Sequence, residues 1–267
     1  DLNLGEQHPG LIFLVGVISK KNKKVSVNAG AAKVDLANTE KLLRANNAYL
    51  NQIQISFDPD ETSNVDWFIS KIFETAPYRK INIAFEKQAT FTKEGLTAFG
   101  QSLAKLSLEV FVFENWGPDA DDLFFSSVKP GIKGQKGLKN LNFAVYNASK
   151  ITNATFEHIK EMIQDNKGLE DFALTFNDSQ SITSQALALI KEPLKSNKSL
   201  KTLYLSFTTC QKLTDEFLTH MTEIVKALPA LESLRLFVQG VQFSTQAFES
   251  FSTLAQGLKL KECIIQK

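Results

Sequence analysis

Apolar and polar residues alternate along this chain in a pattern that returns every 28 to 31 residues. An apolar residue is followed three, five and usually seven places later by others. The full copies are Leu50, Ile53, Ile55 and Phe57; Tyr78, Ile81, Ile83 and Phe85; Leu138, Leu141, Phe143 and Val145; Leu169, Phe172, Leu174 and Phe176; Leu200, Leu203, Leu205 and Phe207; and Leu231, Leu234, Leu236 and Val238. Weaker copies open at Leu108 and Leu260, and a degenerate one at Asn22. Alternation with a period of two marks a short strand with one buried face. Behind each strand come polar residues and then apolar residues at helical spacing, such as Phe156, Ile159, Met162 and Ile163 after Thr152, or Phe217, Met221, Ile224 and Leu228 after Thr214. Those two threonines are placed to cap the helices that follow them. One supersecondary unit repeated at a fixed period makes a solenoid. Strand, helix, strand units of this length predict parallel strands, right-handed crossovers and all helices on one side of the sheet.

Two stretches break the pattern. In the unit that opens at Leu108, residues 129–137 bring Pro130, Gly131, Gly134 and Gly137 into the second half of the expected helix, and this composition predicts that the helix stops short there. The first 21 residues fall outside the repeat; an apolar run over residues 11–18, a lysine-rich turn over 20–24 and then Val25 and Val27 predict a hairpin that caps the N-terminal core. At the other end the last motif has no helix behind it, so the strand over residues 260–266 is expected to present a bare edge open to pairing.

The motif resembles the strand consensus of ribonuclease-inhibitor-like leucine-rich repeats, over about Asn22 to Lys267. The resemblance implies an α/β leucine-rich-repeat solenoid, a horseshoe with about nine parallel strands on the concave face and helices on the convex face. All 267 residues then form one domain, with residues 1–21 as its cap and 22–267 as its repeats. The family's Asn or Cys, eight places after the first Leu, is matched only by Asn177, so the usual ladder of buried asparagines is not expected. Apolar residues one place earlier, chiefly Phe57, Phe85, Phe176 and Phe207, extend the strands instead.

Composition narrows the class of partner. With 43% apolar and 22% charged residues the chain is rich enough in core formers to pack, and a net charge of +1 gives no global pull toward nucleic acid or anionic lipid. The longest apolar run is too short to span a bilayer, so no membrane insertion is expected. Cys210 and Cys263 form no disulfide framework, which favours a cytoplasmic or other intracellular setting over secretion, despite Asn-x-Ser/Thr sequons at Asn147, Asn153, Asn177 and Asn197.

The freest side chains are those two, four, six and eight places after each first position, on the face away from the helices. Two apolar clusters interrupt an otherwise polar surface there: Val110, Val112, Trp116 and Tyr146, and Tyr204, Phe237 and Ile264 beside Arg235. Exposed aromatic residues and Arg are the side chains most often found at binding hot spots, so these are the candidate partner-binding residues. The basic residues of this face, Lys24, Lys80 and Arg235, are outnumbered by Asp58, Glu86, Glu114, Asp171 and Glu262, the reverse of a nucleic-acid surface. Carboxylates at 58–61 and 119–122 are closely spaced but match no calcium loop and precede helices, where they serve as caps; no metal or cofactor site is expected. The glycine and lysine insertion is no phosphate-binding loop, and His8, His158 and His220 assemble with no nucleophile, Cys210 included. The sequence therefore predicts a non-enzymatic scaffold or adaptor, fit to be a subunit of a larger assembly, with a protein partner on the concave sheet. The alternative by analogy of fold is a regulator, inhibiting or activating a small GTPase or hydrolase.

Overall fold

The computed structural model describes residues 2–3, 15–19, 24–29, 36–45, 47, 51–57, 71–85, 91–117 and 120–267. The strands are β1 (Leu2–Asn3), β2 (Val15–Ser19), β3 (Lys24–Ala29), β4 (Gln52–Phe57), β5 (Lys80–Phe85), β6 (Val110–Asn115), β7 (Asn140–Val145), β8 (Asp171–Phe176), β9 (Thr202–Ser206), β10 (Ser233–Phe237) and β11 (Glu262–Gln266). The helices are α1 (Leu36–Ala45), α2 (Lys93–Ala104), α3 (Asp122–Ile132), α4 (Asn153–Asp165), α5 (Gln185–Ser196), α6 (Asp215–Lys226) and α7 (Thr245–Gly257). One sheet contains all these strands in chain order. The β1/β2 and β2/β3 pairs are antiparallel, and every pair from β3 onward is parallel. Residues 11–14 of the expected N-terminal run and residues 20–23 of its lysine-rich turn lie outside the described residues, as do the carboxylates at 58–61 and most of the helix expected after them.

Each strand pairs with the next at the same repeat position. Ile53, Ile81, Phe111, Leu141, Phe172, Leu203, Leu234 and Cys263 form one row, and Ile55, Ile83, Phe113, Phe143, Leu174, Leu205, Leu236 and Ile265 the next. These rows point at the helices and, apart from the half-buried last strand, are buried. Phenylalanines fill the space between: Phe113 of β6 stacks on Phe124 of α3 with ring centroids 4.0 Å apart, and Phe125 packs against both Phe143 and Phe176 at 5.0 and 5.5 Å. Full burial of such a side chain contributes on the order of 1.5–3 kcal/mol.

The helix predicted to stop before Pro130 continues through it to Ile132. Packing explains the correction. A Cβ on Gly131 would sit 2.5 Å from the Gly100 carbonyl oxygen and from Leu103 Cβ, and one on Gly100 would sit 2.0 Å from the Ser127 oxygen. The two glycines let α2 and α3 approach backbone to backbone, and that contact outweighs their low helix propensity. The chain then turns at Gly134, whose φ of 81° lies in the left-handed region.

Polar groups join the units in three further rows. At the helix starts, Asp122 accepts hydrogen bonds from the Thr152 N–H (3.0 Å), the Thr152 hydroxyl (2.6 Å) and the Thr155 hydroxyl (2.5 Å). Asn153 then bonds Thr183 in both directions at 3.0 and 2.8 Å, Ser184 accepts from the Thr214 N–H at 2.9 Å, and Asp215 from the Ser244 N–H at 2.8 Å. Thr152 caps α4 as expected, whereas the Thr214 hydroxyl makes no cap bond and pairs with Ser184 at 3.0 Å.

At the helix ends runs a row of buried carboxamides. Gln135 accepts from the Leu108 N–H (2.9 Å) and donates to Leu103 and Gly131 carbonyls; Asn166 donates to Ile132 and Met162 carbonyls; Asn197 donates to the Asn166 carbonyl at 3.2 Å. These bonds satisfy carbonyls that helix ends leave without partners. Asn197 is 1% exposed, so the folded chain has no room for a glycan at that sequon.

The third row lies one place after each first residue and alternates in sign: Arg79, Glu109, Lys139, Glu170, Lys201, Glu232 and Lys261. Arg79 pairs with Glu109 at 2.6 Å, Glu170 with Lys139 at 2.8 Å and Lys201 at 2.6 Å, and Glu232 with Lys261 at 2.8 Å. Hydrogen bonds from the two lysines hold the Glu170 carboxyl down to about 2.

Two outcomes follow from this packing. Gly131→Ala and Gly100→Ala should each destabilise the chain by about 1–3 kcal/mol in urea unfolding, the scale of an overpacked core, while Gly168→Ala, which meets nothing within 4 Å, should not. Because the Glu170 pKa is lowered in the folded state, its contribution is complete above about pH 4.5, the ordinary value, and is lost as the pH falls toward 2. The stability difference between the natural chain and Glu170→Gln should therefore shrink between those limits in denaturation curves, and should also shrink in high salt.

Candidate functional site: the open face of the sheet

Side chains that alternate with the core rows point away from the helices. Strict register lines them up as rows too. Val110, Asn140, Asp171, Thr202, Ser233 and Glu262 form one; Val112, Asn142, Ala173, Tyr204, Arg235 and Ile264 the next; Glu114, Ala144, Thr175 and Ser206 a third. Trp116 and Tyr146 stand just beyond the ends of β6 and β7.

Of the first candidate cluster, the structure brings Trp116 and Tyr146 together. Trp116 and Tyr146 stack with ring centroids 3.8 Å apart and planes 16° from parallel. Trp116 remains 51% exposed, the most exposed large apolar side chain among the described residues, ahead of Leu123 on α3 at 37%. Val110 and Val112 are half-buried further back along β6, in rows separate from the indole. In the second cluster Tyr204 lies against Phe237 at 5.5 Å and 40°, with Ile264 half-buried next to Arg235.

Arg235 is not a free cation. Its guanidinium binds the Glu262 carboxylate through Nε (2.9 Å) and a terminal nitrogen (2.8 Å), and the Ser233 hydroxyl donates to the same carboxylate at 2.7 Å. This fork holds Glu262 below the usual carboxylate range and raises Arg235. Thr175 and Ser206 are also less available than their spacing suggests, each being only 4% exposed. Asn177, the one match to the family's Asn position, accepts from the Ser206 hydroxyl and the Thr208 N–H at 2.9 and 3.1 Å.

Between the two aromatic pairs the surface dips. Ala144 and Ala173 leave a hollow of about 270 Å³, bordered by Tyr146 and Tyr204 and lined also by Glu114, Asn142 and Asp171. The rims are legible in the spacing of one unit, whereas the dip depends on small residues meeting diagonally across adjacent strands.

The remaining candidate groups occupy structural positions. Asp121 caps α3 by accepting from the Phe124 N–H at 3.1 Å. The Cys210 thiol is buried and donates to the Phe176 carbonyl at 3.0 Å, and burial pushes its pKa up to about 11. His220 lies on α6, with Nδ1 3.5 Å from Lys191 and Nε2 3.4 Å from Glu216. Burial and the neighbouring Lys129 lower the pKa of His158 on α4. No described helix is long and apolar enough to cross a membrane.

No protein-family model matches the chain, and no curated protein matches it. Among solved structures, one titled "Leiomodin-1 Actin-Binding Site 2 (ABS2)" is similar over 74% of this chain and 90% of its own, at 15% identity and a TM-score of 0.44. A likeness so distant leaves the reading of the site to the residues themselves.

The two thiols should differ in reactivity. In the folded chain at pH 8, iodoacetamide should label the half-buried Cys263 before the buried, hydrogen-bonded Cys210, as read by peptide mass spectrometry, with the difference erased in denaturant.

Proposed function

We propose that this chain is a non-enzymatic scaffold that holds a protein partner on the open face of a curved, ribonuclease-inhibitor-like leucine-rich-repeat sheet, within an intracellular assembly. The observation that carries the reading is the Trp116–Tyr146 stack, with an indole half exposed on a face made of aligned strands. Stacked aromatic rings on a rigid frame offer large contact area with few rotamers left to freeze, so binding there costs little ordering entropy. Tyr204 and Phe237 supply a second apolar contact further along the same face. The sheet edge extends the reading: β11 hydrogen-bonds to β10 on one side, its inward residues Cys263 and Ile265 are only partly buried, and a strand from a partner could continue the ladder.

Affinity capture from the native source identifies the partner, and purified partner then tests the face. Trp116→Ala with Tyr146→Ala, and Tyr204→Ala with Phe237→Ala, should each weaken binding by about 1 kcal/mol or more, roughly fivefold, with the fold retained by circular dichroism. Unchanged affinity in both double variants rejects the proposal. A change in the partner's turnover on adding this chain would instead mark a regulator.

A further inference from the structure

The hollow between the aromatic pairs contains an unbalanced charge. Glu114 sits in the row of β6 directly opposite Ala84 on one side and Ala144 on the other, so neither facing position offers it a donor. It is half-buried and forms neither an ion pair nor a hydrogen bond with any described residue. Four other carboxylates along the strands have cations: Glu109 has Arg79, Glu170 has Lys139 and Lys201, Glu232 has Lys261, and Glu262 has Arg235. Burial without a partner raises the Glu114 pKa, and burial chiefly raises that of Tyr146 as well, with the Glu114 charge and then Tyr204 adding to it. Glu114, Tyr146 and Tyr204 therefore converge on one space, and Asp171 lines it from the strand beyond. Arg235, the one basic residue on the rim, is already neutralised by Glu262.

A desolvated carboxylate without a counter-charge is unfavourable, and the opposite charge relieves it. Rings of tyrosine attract a cation over their faces, the more so as water is excluded. Small floor residues leave room for a side chain to enter between the rings. We propose that this hollow is a slot for the cationic side chain of an arginine or lysine carried by the protein partner, held by Glu114 and Asp171 and flanked by Tyr146 and Tyr204. This assignment rests on the open face being the docking surface, and it sets the partner's chemistry: a basic residue flanked by apolar ones that cover Trp116 on one side and Phe237 on the other.

The test uses the full chain, isotopically labelled, and three small probes: the capped amides of arginine, lysine and the uncharged isostere citrulline. Arginine or lysine amide should shift the backbone resonances of Ala144 and Ala173 saturably in the millimolar range, and citrulline amide should not. Glu114→Gln, which removes charge without changing shape, should weaken the arginine effect at least fivefold while leaving the urea midpoint no lower. Equal shifts from citrulline, no shift from either cation, or an undiminished effect in Glu114→Gln would each overturn the slot. Partner binding distinguishes this failure from that of the scaffold reading. Loss of binding in the aromatic double variants with full binding in Glu114→Gln removes the slot and keeps the docking face; full binding in all of these variants removes both.

Discussion

Backbone pairing between successive parallel strands is the constraint on which the rest of this molecule depends. From β3 to β11 every strand meets the next at the same repeat position, so a residue type that recurs in sequence becomes a continuous row in space. A slip of one residue would turn a row such as Ile81, Phe111 and Leu141 out of the core and bring its polar neighbours in. Aliphatic and aromatic burial penalises that slip most. The alternating charges from Arg79 to Lys261 also oppose a shift of whole units, since displacing one strand by a unit would set like charges side by side. Exposed pairs of this kind add little to stability, yet they discriminate between arrangements of equal hydrophobicity.

What was legible in the sequence follows from the same constraint. Strand positions, the inward rows and the aromatic rims of the open face could be read because each is a property of spacing within one unit. Features that arise between units were harder to see. Pro130 and Gly131 signal a broken helix when α3 is considered alone; the helix persists because Gly131 lies against Gly100 of α2, a contact between positions far apart in sequence. Gln135, Asn166 and Asn197 look like ordinary turn residues, although all stand three places before a repeat's first Leu. Their burial became evident only once each was seen to bond the backbone of the unit before it. The charge row is equally present in the sequence, one place after each first residue from Arg79 onward, but its sign alternation carries no signal until the strands are set side by side.

The internal rows also explain why the open face is available for contact. Helix starts are tied together by Asp122, Asn153, Ser184 and Asp215, and helix ends by the buried carboxamides, so the units are joined on the helical side without using side chains of the opposite face. Where the open face does carry internal bonds, as at Arg235 with Glu262 and at Asn177 with Ser206, the bonds also run between units and reduce what those residues can offer a ligand. Val112, Trp116, Tyr146, Tyr204 and Phe237 are subject to no such polar tie.

Glu114 is the informative exception to this economy of pairing. The sheet sets alanines on both sides of it, at Ala84 and Ala144, so Glu114 lacks the cation that Arg235 on the adjoining strand gives Glu262. Ala144 also floors the hollow together with Ala173, so one residue contributes both to the missing partner and to the space that can receive one. Local stability gains nothing from a half-buried carboxylate in that setting; a neutral residue of similar size would avoid the desolvation. A local departure from the pattern followed by the rest of the fold is expected where function, rather than packing, determines the residue.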